Sequence, residues 1–394
     1  MAPPGRMDKV WQGSSQLFGR LRDYYFGKKG ELLSPTAHLG MDDTPHWQQQ
    51  RLHQRSAEAP PLISERTAVL FGLLFTLIFI APFYLSPTLR TSSLQSRDAP
   101  TVIKARIRAV GLSCVASTVV AVYVLVVYGH ATARDVLRLL AVWPVNLIDC
   151  GRVLTLVAVL FVGPLYETVI VDSGWREWRP RAIKEKFFDS LPGLRNNVVA
   201  PLAEEWVFRS LVVSLYLLAK VPAKRIVFTS PLIFGAAHIH HLVEVLRTHT
   251  PPGRLLPPLN VWIRGILQSL FQFTYTSLFG FFTAFVYLRT GNLYAVVLAH
   301  SFCNVMSLPR VYGRLGQDED DELYEMTPDV AQGKRDDGLA SMKDRGQHNP
   351  TAKNLGIQWT ILYYILLPSG AYGFYRLLWP MTESTNALAG FVRP

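Results

Sequence analysis

The stretch APLAEEWVFRSLVVSLYLLAK, Ala200 to Lys220, combines an apolar run long enough to cross a membrane with charged side chains near its start. A helix needs about 20 predominantly apolar residues to span roughly 30 Å of hydrocarbon. Glu204, Glu205 and Arg209 lie inside this run, although an ionised side chain at the bilayer centre costs about 2.5 to 3.5 kcal/mol on insertion scales. The segment therefore predicts a transmembrane helix whose charges have a specific role.

Further apolar runs of comparable length lie on both sides of this segment. The predicted spans cover about residues 67–85, 107–129, 151–171, 197–219, 225–243, 265–288, 291–308 and 356–378. Another apolar piece, LRLLAVWPVNLI, is too short to cross and contains a proline, which favours an interfacial or re-entrant helix. The predicted fold class is all-α, a polytopic membrane bundle of about eight transmembrane helices.

Composition agrees with this class and divides the chain into three parts. Hydrophobic residues make up 49% of the sequence, and the Lys and Arg behind the net charge of +11 lie mostly in tails and loops, so nucleic-acid binding is not expected. Residues 1–66 predict a largely disordered polar tail, in which KVWQGSSQLFGRLRDYYFG could instead form a helix on the membrane surface. Residues 67–378 form the membrane domain, with a solvated acidic loop at about 309–355, and 379–394 form a short C-terminal tail.

The charges of the fourth span fall on two helical faces. Glu205 and Arg209 are four residues apart and can form an ion pair on one face. Glu204 is rotated by about 100° from Glu205 and points elsewhere, where it is available for chemistry. Both glutamates could also lie near enough to the interface to be solvated.

Histidines in two other spans are candidates for the same site. His238 lies near the end of the fifth span, beside His240 and His241, which are expected to be ordinary interfacial residues. His300 and Asn304 lie one turn apart on one face of the apolar seventh span. This pair also fits a structural hydrogen bond between helices, and in either case it should face the bundle interior, because lipid would leave its donors unsatisfied.

Helix direction brings these polar residues to a common depth. Alternate spans run in opposite directions, so Glu204, His238, His300 and Asn304 should lie within roughly 6 to 12 Å of one membrane face. Such a set fits peptide hydrolysis, with Glu204 as general base and His238 sharing or orienting the water. His300 and Asn304 would donate hydrogen bonds to the developing oxyanion. No metal or other cofactor is required.

Two other classes of function remain open at this point. The sequence has no HExxH and no GxSxG motif, and its three cysteines show no metal-ligand spacing, but HIHH together with Glu204 could hold zinc in a split site. A zinc-dependent membrane protease is therefore one alternative. The other is a non-enzymatic membrane scaffold or a transporter that uses the buried charges as a proton relay, although no internal repeat is obvious.

Three short motifs together resemble a known family. EEWVFR, FGAAH and HSFCN, in this order on separate spans, resemble the CAAX prenyl protease 2 family, the Ras-converting type II CAAX endopeptidases, and RDAPTVIKARI after the first span is similar to a segment of eukaryotic members. The likeness covers about residues 67–378. It implies a glutamate-type intramembrane endopeptidase of the endoplasmic reticulum membrane that removes the last three residues of farnesylated or geranylgeranylated CaaX proteins, with Ras-like small GTPases as expected substrates.

The resemblance also implies a role for each motif residue. The first glutamate and the first histidine would activate water, the second histidine and the asparagine would form the oxyanion site, and the second glutamate and the arginine would position substrate or brace the first glutamate. Lys and Arg concentrate in the loops after spans one, three, five and seven, which predicts a cytosolic catalytic rim. The residues concerned are Glu204, Glu205, Arg209, His238, His300 and Asn304.

Overall fold

The computed structural model describes residues 16–26, 60–90, 97–177, 179–250, 254–316 and 355–391, and within them every regular element is a helix. In chain order the longer helices are α1 (Gln16–Phe26), α2 (Glu65–Ile80), α3 (Pro100–Val127), α4 (Ala133–Leu139), α5 (Leu147–Leu160), α6 (Ala200–Glu205), α7 (Val212–Leu218), α8 (Ala223–Ala237), α9 (His240–Thr248), α10 (Leu259–Thr290), α11 (Leu293–Met306) and α12 (Ile357–Met381). Short α-helical turns cover Pro82–Leu85, Val162–Leu165, Pro180–Lys184 and Leu191–Leu194, and Gly174–Glu177 is a 3-10 turn. π-Helical segments cover Tyr166–Val171, Glu185–Asp189, Arg195–Val199 and Trp206–Leu211.

Apolar helices of membrane-spanning length are present, but fewer than predicted. Within the described ranges, Glu65–Leu85, Pro100–Val127 and Ala223–Thr248 are long and apolar enough to cross a membrane. A bent pair of helices, Leu147–Leu160 and Val162–Val171, would make a fourth span. Helices α10 and α12 are long enough but less apolar, and α11 is apolar but short. The all-α membrane class is confirmed, whereas the count of about eight spans is not.

Two predicted segments differ from the structure at prolines. The predicted span 151–171 is bent by 83° after Leu160, where Pro164 has no N–H to donate to the carbonyl of that residue. In LRLLAVWPVNLI, α4 ends at Leu139 and α5 begins only at Leu147, with Pro144 in the connection between them. The expected interfacial or re-entrant helix over this piece is therefore wrong, because the piece joins two helices.

The centre of the bundle is one helical rod from Ala200 to Leu218, made of α6, the π-helical segment Trp206–Leu211 and α7. Val207, Leu211 and Leu215 along this rod are completely buried. Helices α2, α3, α8 and α11 pack around it. Because neighbouring helices surround the rod and Glu205 and Arg209 are buried, the charges near its start face protein and not lipid.

The closest helix pair near the rod is α8 against α10, and glycines allow their approach. A Cβ atom added at Gly280 of α10 would lie 2.6 Å from Cβ of Pro231 in α8 and 3.3 Å from Nη2 of Arg209. Small residues at such a contact let two backbones come close enough for extensive van der Waals packing. Gly280 therefore sets the distance between α10 and the central rod as well.

The first and last described segments pack against each other. Leu17, Phe18 and Leu21 of α1 are buried, and the Tyr25 hydroxyl donates to the Val221 carbonyl at 2.8 Å. The Gly390 N–H donates to the Tyr25 carbonyl at 3.3 Å. Within the predicted disordered tail, residues 16–26 thus form a packed helix. The rest of that tail before residue 60, and most of the predicted acidic loop, lie outside the described residues.

We expect Gly280→Ala to lower the stability of the bundle by about 1 to 3 kcal/mol, because overpacking must separate α8 from α10. Thermal unfolding of the purified protein in detergent measures this loss. Gly151→Ala in α5 is the matched control, since nothing lies within 4 Å of its added Cβ and alanine favours helix. An unchanged unfolding temperature for Gly280→Ala would contradict the close α8–α10 contact.

Candidate active site

One cavity of about 430 Å³ brings together the side chains that the sequence placed at a common depth. Glu204, His238, His300 and Asn304 all line it, although they come from the central rod, the end of α8 and α11. The Glu204 side chain is 19% exposed. The cavity therefore gives Glu204 access to a small molecule such as water, which complete burial would prevent.

Glu205 lies behind this cavity wall, with no exposed surface. Its Oε2 is 3.1 Å from Nε of Arg209, which is the ion pair that the four-residue spacing predicts. Its Oε1 is 2.8 Å from Nδ1 of His300, a contact that the sequence analysis missed. A buried carboxylate needs a nearby countercharge, which Arg209 supplies, and Oε1 has the His300 ring as its partner, whereas Oε2 accepts no hydrogen bond among the described residues. Solvation at the interface, the other possibility for Glu205, is wrong.

Arg209 is held by groups on three sides. Its Nε donates to Oγ1 of Thr283 at 3.0 Å, and its guanidinium carbon lies 4.2 Å from the ring centre of Phe234. A cation over an aromatic face is stabilised most when both are removed from water. Phe234 of the FGAAH motif therefore supports Arg209, and Thr283, a polar residue in an apolar stretch of α10, was the sequence clue that we overlooked.

The hydrogen bonds of His300 determine which of its nitrogens can reach the cavity. An ionised Glu205 can only accept, so Nδ1 of His300 carries the proton that is donated to it. Nε2 then lies 3.9 Å from Oε2 of Glu204. His300 consequently contacts both glutamates, and its Nε2 can donate a hydrogen bond only when the ring carries both protons.

His238 has the same tautomer for a different reason. It follows the last residue of α8, and its Nδ1 lies 2.9 Å from the Phe234 carbonyl oxygen. A carbonyl can only accept, so Nδ1 donates, and in the neutral ring Nε2 keeps its lone pair. The end of α8 thus presents a proton acceptor at the cavity.

Asn304 is oriented by the segment that precedes the central rod. Its side-chain nitrogen donates to the Asn196 carbonyl at 2.8 Å. Asn196 lies in the π-helical segment Arg195–Val199. This hydrogen bond fixes the orientation of the Asn304 amide at the cavity wall. The sequence analysis missed Asn196 because the contact with Asn304 uses only its backbone carbonyl.

The structure does not form the split zinc site that the sequence left open. Among the described residues, the His, Cys, Asp and Glu side chains near enough to share an ion are His240, His241 and Glu244, without Glu204. Nη2 of Arg106 already lies 2.7 Å from Oε1 of Glu244. A guanidinium at this distance opposes binding of a second cation at the same carboxylate. His241 also lines the main cavity, and its placement near the membrane interface stays a prediction.

Two arginines that the site prediction did not include also line the cavity, Arg97 and Arg195. Burial lowers the pKa of the Arg97 guanidinium to about 10, so its positive charge persists at neutral pH. Arg97 belongs to RDAPTVIKARI, whose likeness to a known segment was noted without a role. One end of the cavity is therefore basic, whereas Val157, Leu160 and Phe161 line it elsewhere with apolar surface.

Comparisons with known proteins identify the family of this chain. The profile of the family described as Type II CAAX prenyl endopeptidase Rce1-like matches residues 186–306, which include all six candidate residues. Probable CAAX prenyl protease 2 of Schizosaccharomyces pombe is 32% identical over 255 residues, covering 65% of this chain and 86% of the relative. CAAX prenyl protease 2 of Homo sapiens is 33% identical over 255 residues, covering 61% of this chain and 72% of the relative. The chain belongs to the type II CAAX prenyl endopeptidase family. No solved structure matches it.

Family membership makes this chain a membrane protease and leaves the roles of individual residues to the geometry. CAAX prenyl protease 2 of Saccharomyces cerevisiae, at 24% identity over 267 residues, covers 61% of this chain and 81% of the relative. The match to these CAAX endopeptidases therefore extends beyond residues 186–306. The aligned length of 267 residues is more than twice that of the family profile match.

For this CAAX endopeptidase we expect strong coupling between Glu205 and Arg209. Arg209→Met leaves a buried carboxylate without its main countercharge and should cost about 3 to 5 kcal/mol. Glu205→Gln combined with Arg209→Met should cost less than the sum of the single changes, because no unpaired charge remains. Thermal unfolding of the four proteins in detergent completes the double-mutant cycle.

The exposed pair Arg181 and Glu185 is the matched control, since it has the same four-residue spacing and side chains that are 90% and 55% exposed. Its coupling should be close to zero. Simple additivity at Glu205 and Arg209 would show that the buried ion pair does not contribute to stability.

Proposed function

We propose that this protein removes the C-terminal tripeptide from farnesylated or geranylgeranylated CaaX proteins, with water activated by Glu204 and His238. One observation carries the proposal: Glu204, His238, His300 and Asn304 line a single cavity in a membrane protease. The name of these relatives, CAAX prenyl protease 2, supports the substrate class. Ras-like small GTPases that end in a CaaX sequence are the substrates we expect.

In the proposed first step, Glu204 takes one proton from water while the water oxygen bonds to the carbonyl carbon of the prenylated cysteine. Nε2 of His238 accepts a hydrogen bond from the same water and orients its lone pair toward the carbon. This arrangement uses the acceptor nitrogen that the Phe234 carbonyl leaves unprotonated on His238. A positioned general base of this kind contributes roughly a hundred- to ten-thousandfold in rate.

The negative charge that develops on the carbonyl oxygen needs donors, and these are assigned to Nε2 of His300 and the amide of Asn304. When the tetrahedral intermediate collapses, the bond to the leaving nitrogen breaks and Glu204 returns its proton to that nitrogen. The products are a prenylcysteine carboxylate and a free tripeptide. Glu205 and Arg209 hold His300 in place from behind, which is how a buried ion pair outside the cavity can influence the rate.

The cavity lining supports a lipidated substrate. Phe161, Phe282 and Phe374, together with Val157 and Leu160, give part of the cavity an apolar surface suited to an isoprenoid chain. Burial of such a chain is favourable by roughly 25 cal/mol per Å² of apolar surface removed from water. The isoprenoid would therefore provide affinity, and the peptide would provide the bond to be cleaved.

The proposed location is the endoplasmic reticulum membrane, with several spans and the active site facing the cytosol. Basic residues in the loops after the predicted spans one, three, five and seven support this orientation. Prenylated proteins are made in the cytosol, so a cavity that opens there can accept their C-termini.

Glu204→Gln should abolish tripeptide release from a farnesylated CaaX peptide, at least a thousandfold below the natural protein, because the amide cannot accept a proton from water. His238→Ala should cause a similar loss. The rate is measured by mass spectrometry of the released tripeptide, with both variants in membranes at equal expression. Glu185→Gln, an exposed carboxylate outside the cavity, is the control and should be fully active. Full activity of the Glu204 variant would sink the mechanism.

Exhaustive chelation should leave the rate of tripeptide release unchanged, because the proposed water activation uses side chains alone. The assay is repeated after dialysis against a strong zinc chelator, and metal content per chain is measured in parallel. Loss of activity that returns with stoichiometric zinc would favour the zinc-dependent alternative instead.

A further inference from the structure

Three basic side chains lie together at one end of the cavity. Arg97 and Arg195 line it together with His241, and all three share the cavity with Glu204 and His238. The proposed reaction assigns no role to these basic side chains. They are also mostly removed from water, since the side chains of Arg97 and Arg195 are 18% and 9% exposed. Buried cations that line a cavity require an explanation.

Arg195 has closer protein partners than Arg97, through an ion pair and two hydrogen bonds. Its Nη2 lies 2.6 Å from Oδ1 of Asp98, and its Nη1 donates to the Arg97 carbonyl at 3.2 Å. Its Nε donates to Oδ1 of Asn196 at 2.8 Å. Arg195 therefore balances the charge of Asp98 and fixes the backbone of Arg97, and it also connects this end of the cavity to the segment that orients Asn304.

Arg97 is held much more loosely. Its Nη1 is 3.9 Å from Oε2 of Glu244, while the same carboxylate is 2.7 Å from Arg106 and 2.9 Å from Nδ1 of His241. Glu244 is thus already neutralised by Arg106. Nε of Arg97 is buried and has no hydrogen-bond partner among the described residues. Once these pairs are counted, Arg97 supplies the net positive charge of the cluster.

A continuous chain of contacts connects the reacting groups to Arg97. The ring centres of His238 and His241 are 6.0 Å apart, and the contacts from His241 to Glu244 and from Glu244 to Arg97 follow directly. An extended tripeptide measures about 10 Å. This chain of contacts sets an upper limit on the separation of His238 and Arg97, and that limit keeps Arg97 within reach of the C-terminus of a peptide cleaved beside His238.

We propose that Arg97 binds the C-terminal carboxylate of the substrate, and that this contact selects chains that end three residues after the prenylated cysteine. The inference rests on the proposed function, because it concerns the peptide that is released. A guanidinium can donate two parallel hydrogen bonds to a carboxylate, and removal from water strengthens them. Arg195 acts as a positioning residue that holds the Arg97 backbone in place.

A pair of substrates tests this assignment. Both are farnesylated peptides of identical sequence, one with a free C-terminal carboxylate and one with a C-terminal amide. The full chain in detergent-lipid micelles should cleave the acid with a kcat/KM about ten- to a hundredfold above that of the amide, the range expected for a hydrogen bond to a charged group. Equal cleavage of the two peptides by the natural protein would overturn the proposal without any variant.

Arg97→Gln should lower kcat/KM for the acid peptide by that same factor and leave the amide peptide unchanged. Arg97→Lys, which keeps the charge but not the planar fork, should recover part of the preference. Arg181→Gln, at an exposed position away from the cavity, is the matched control. The assignment would also be overturned if a folded Arg97→Gln protein lost activity on both peptides equally. It would likewise be overturned if this protein kept the full preference for the acid peptide over the amide peptide.

The proposed function is tested separately, by tripeptide release from the acid peptide. If the natural protein releases no tripeptide, both proposals fail. If it releases the tripeptide equally from acid and amide, only the carboxylate site fails.

Discussion

The structure around the cavity depends on the Glu205 carboxylate, which is completely buried between Arg209 and His300. Arg209 lies on the same helical rod, whereas His300 comes from α11, so one side chain links two helices. Thr283 and Phe234 extend the link to α10 and α8 through Arg209. In hydrocarbon there is no water to replace any of these contacts. A few buried side chains therefore connect four helices at this point of the bundle.

His238 and His300 each use Nδ1 for a contact with protein, although the acceptors differ. A backbone carbonyl accepts from Nδ1 of His238, and a carboxylate accepts from Nδ1 of His300. In each ring, the buried contact determines which nitrogen remains for the cavity. The difference lies in the acceptor, which is a carboxylate behind His300 and a neutral carbonyl behind His238.

Local spacing was enough to predict the Glu205–Arg209 pair, because both side chains lie on one helix. The common location of Glu204, His238, His300 and Asn304 also followed from helix direction and rise per residue. Spacing and helix direction did not predict the contacts between distant segments. These are the contact of Glu205 with His300, the contact of Asn304 with the Asn196 carbonyl, and the position of Arg97 at the cavity wall. They depend on how helices rotate and bend. The 83° bend after Leu160 is such a case, since hydropathy alone predicts one straight span.

The π-helical segment Trp206–Leu211 has a consequence for how this rod can change in evolution. A π-helical turn holds an additional residue compared with an α-helical turn, and one residue corresponds to about 100° of rotation. The segment thus sets the angular phase between the two glutamates and the buried face of α7. Apolar substitutions along α7 alter only local packing. An insertion or deletion of one residue in this turn would rotate the carboxylates away from α11, even if every motif residue were retained.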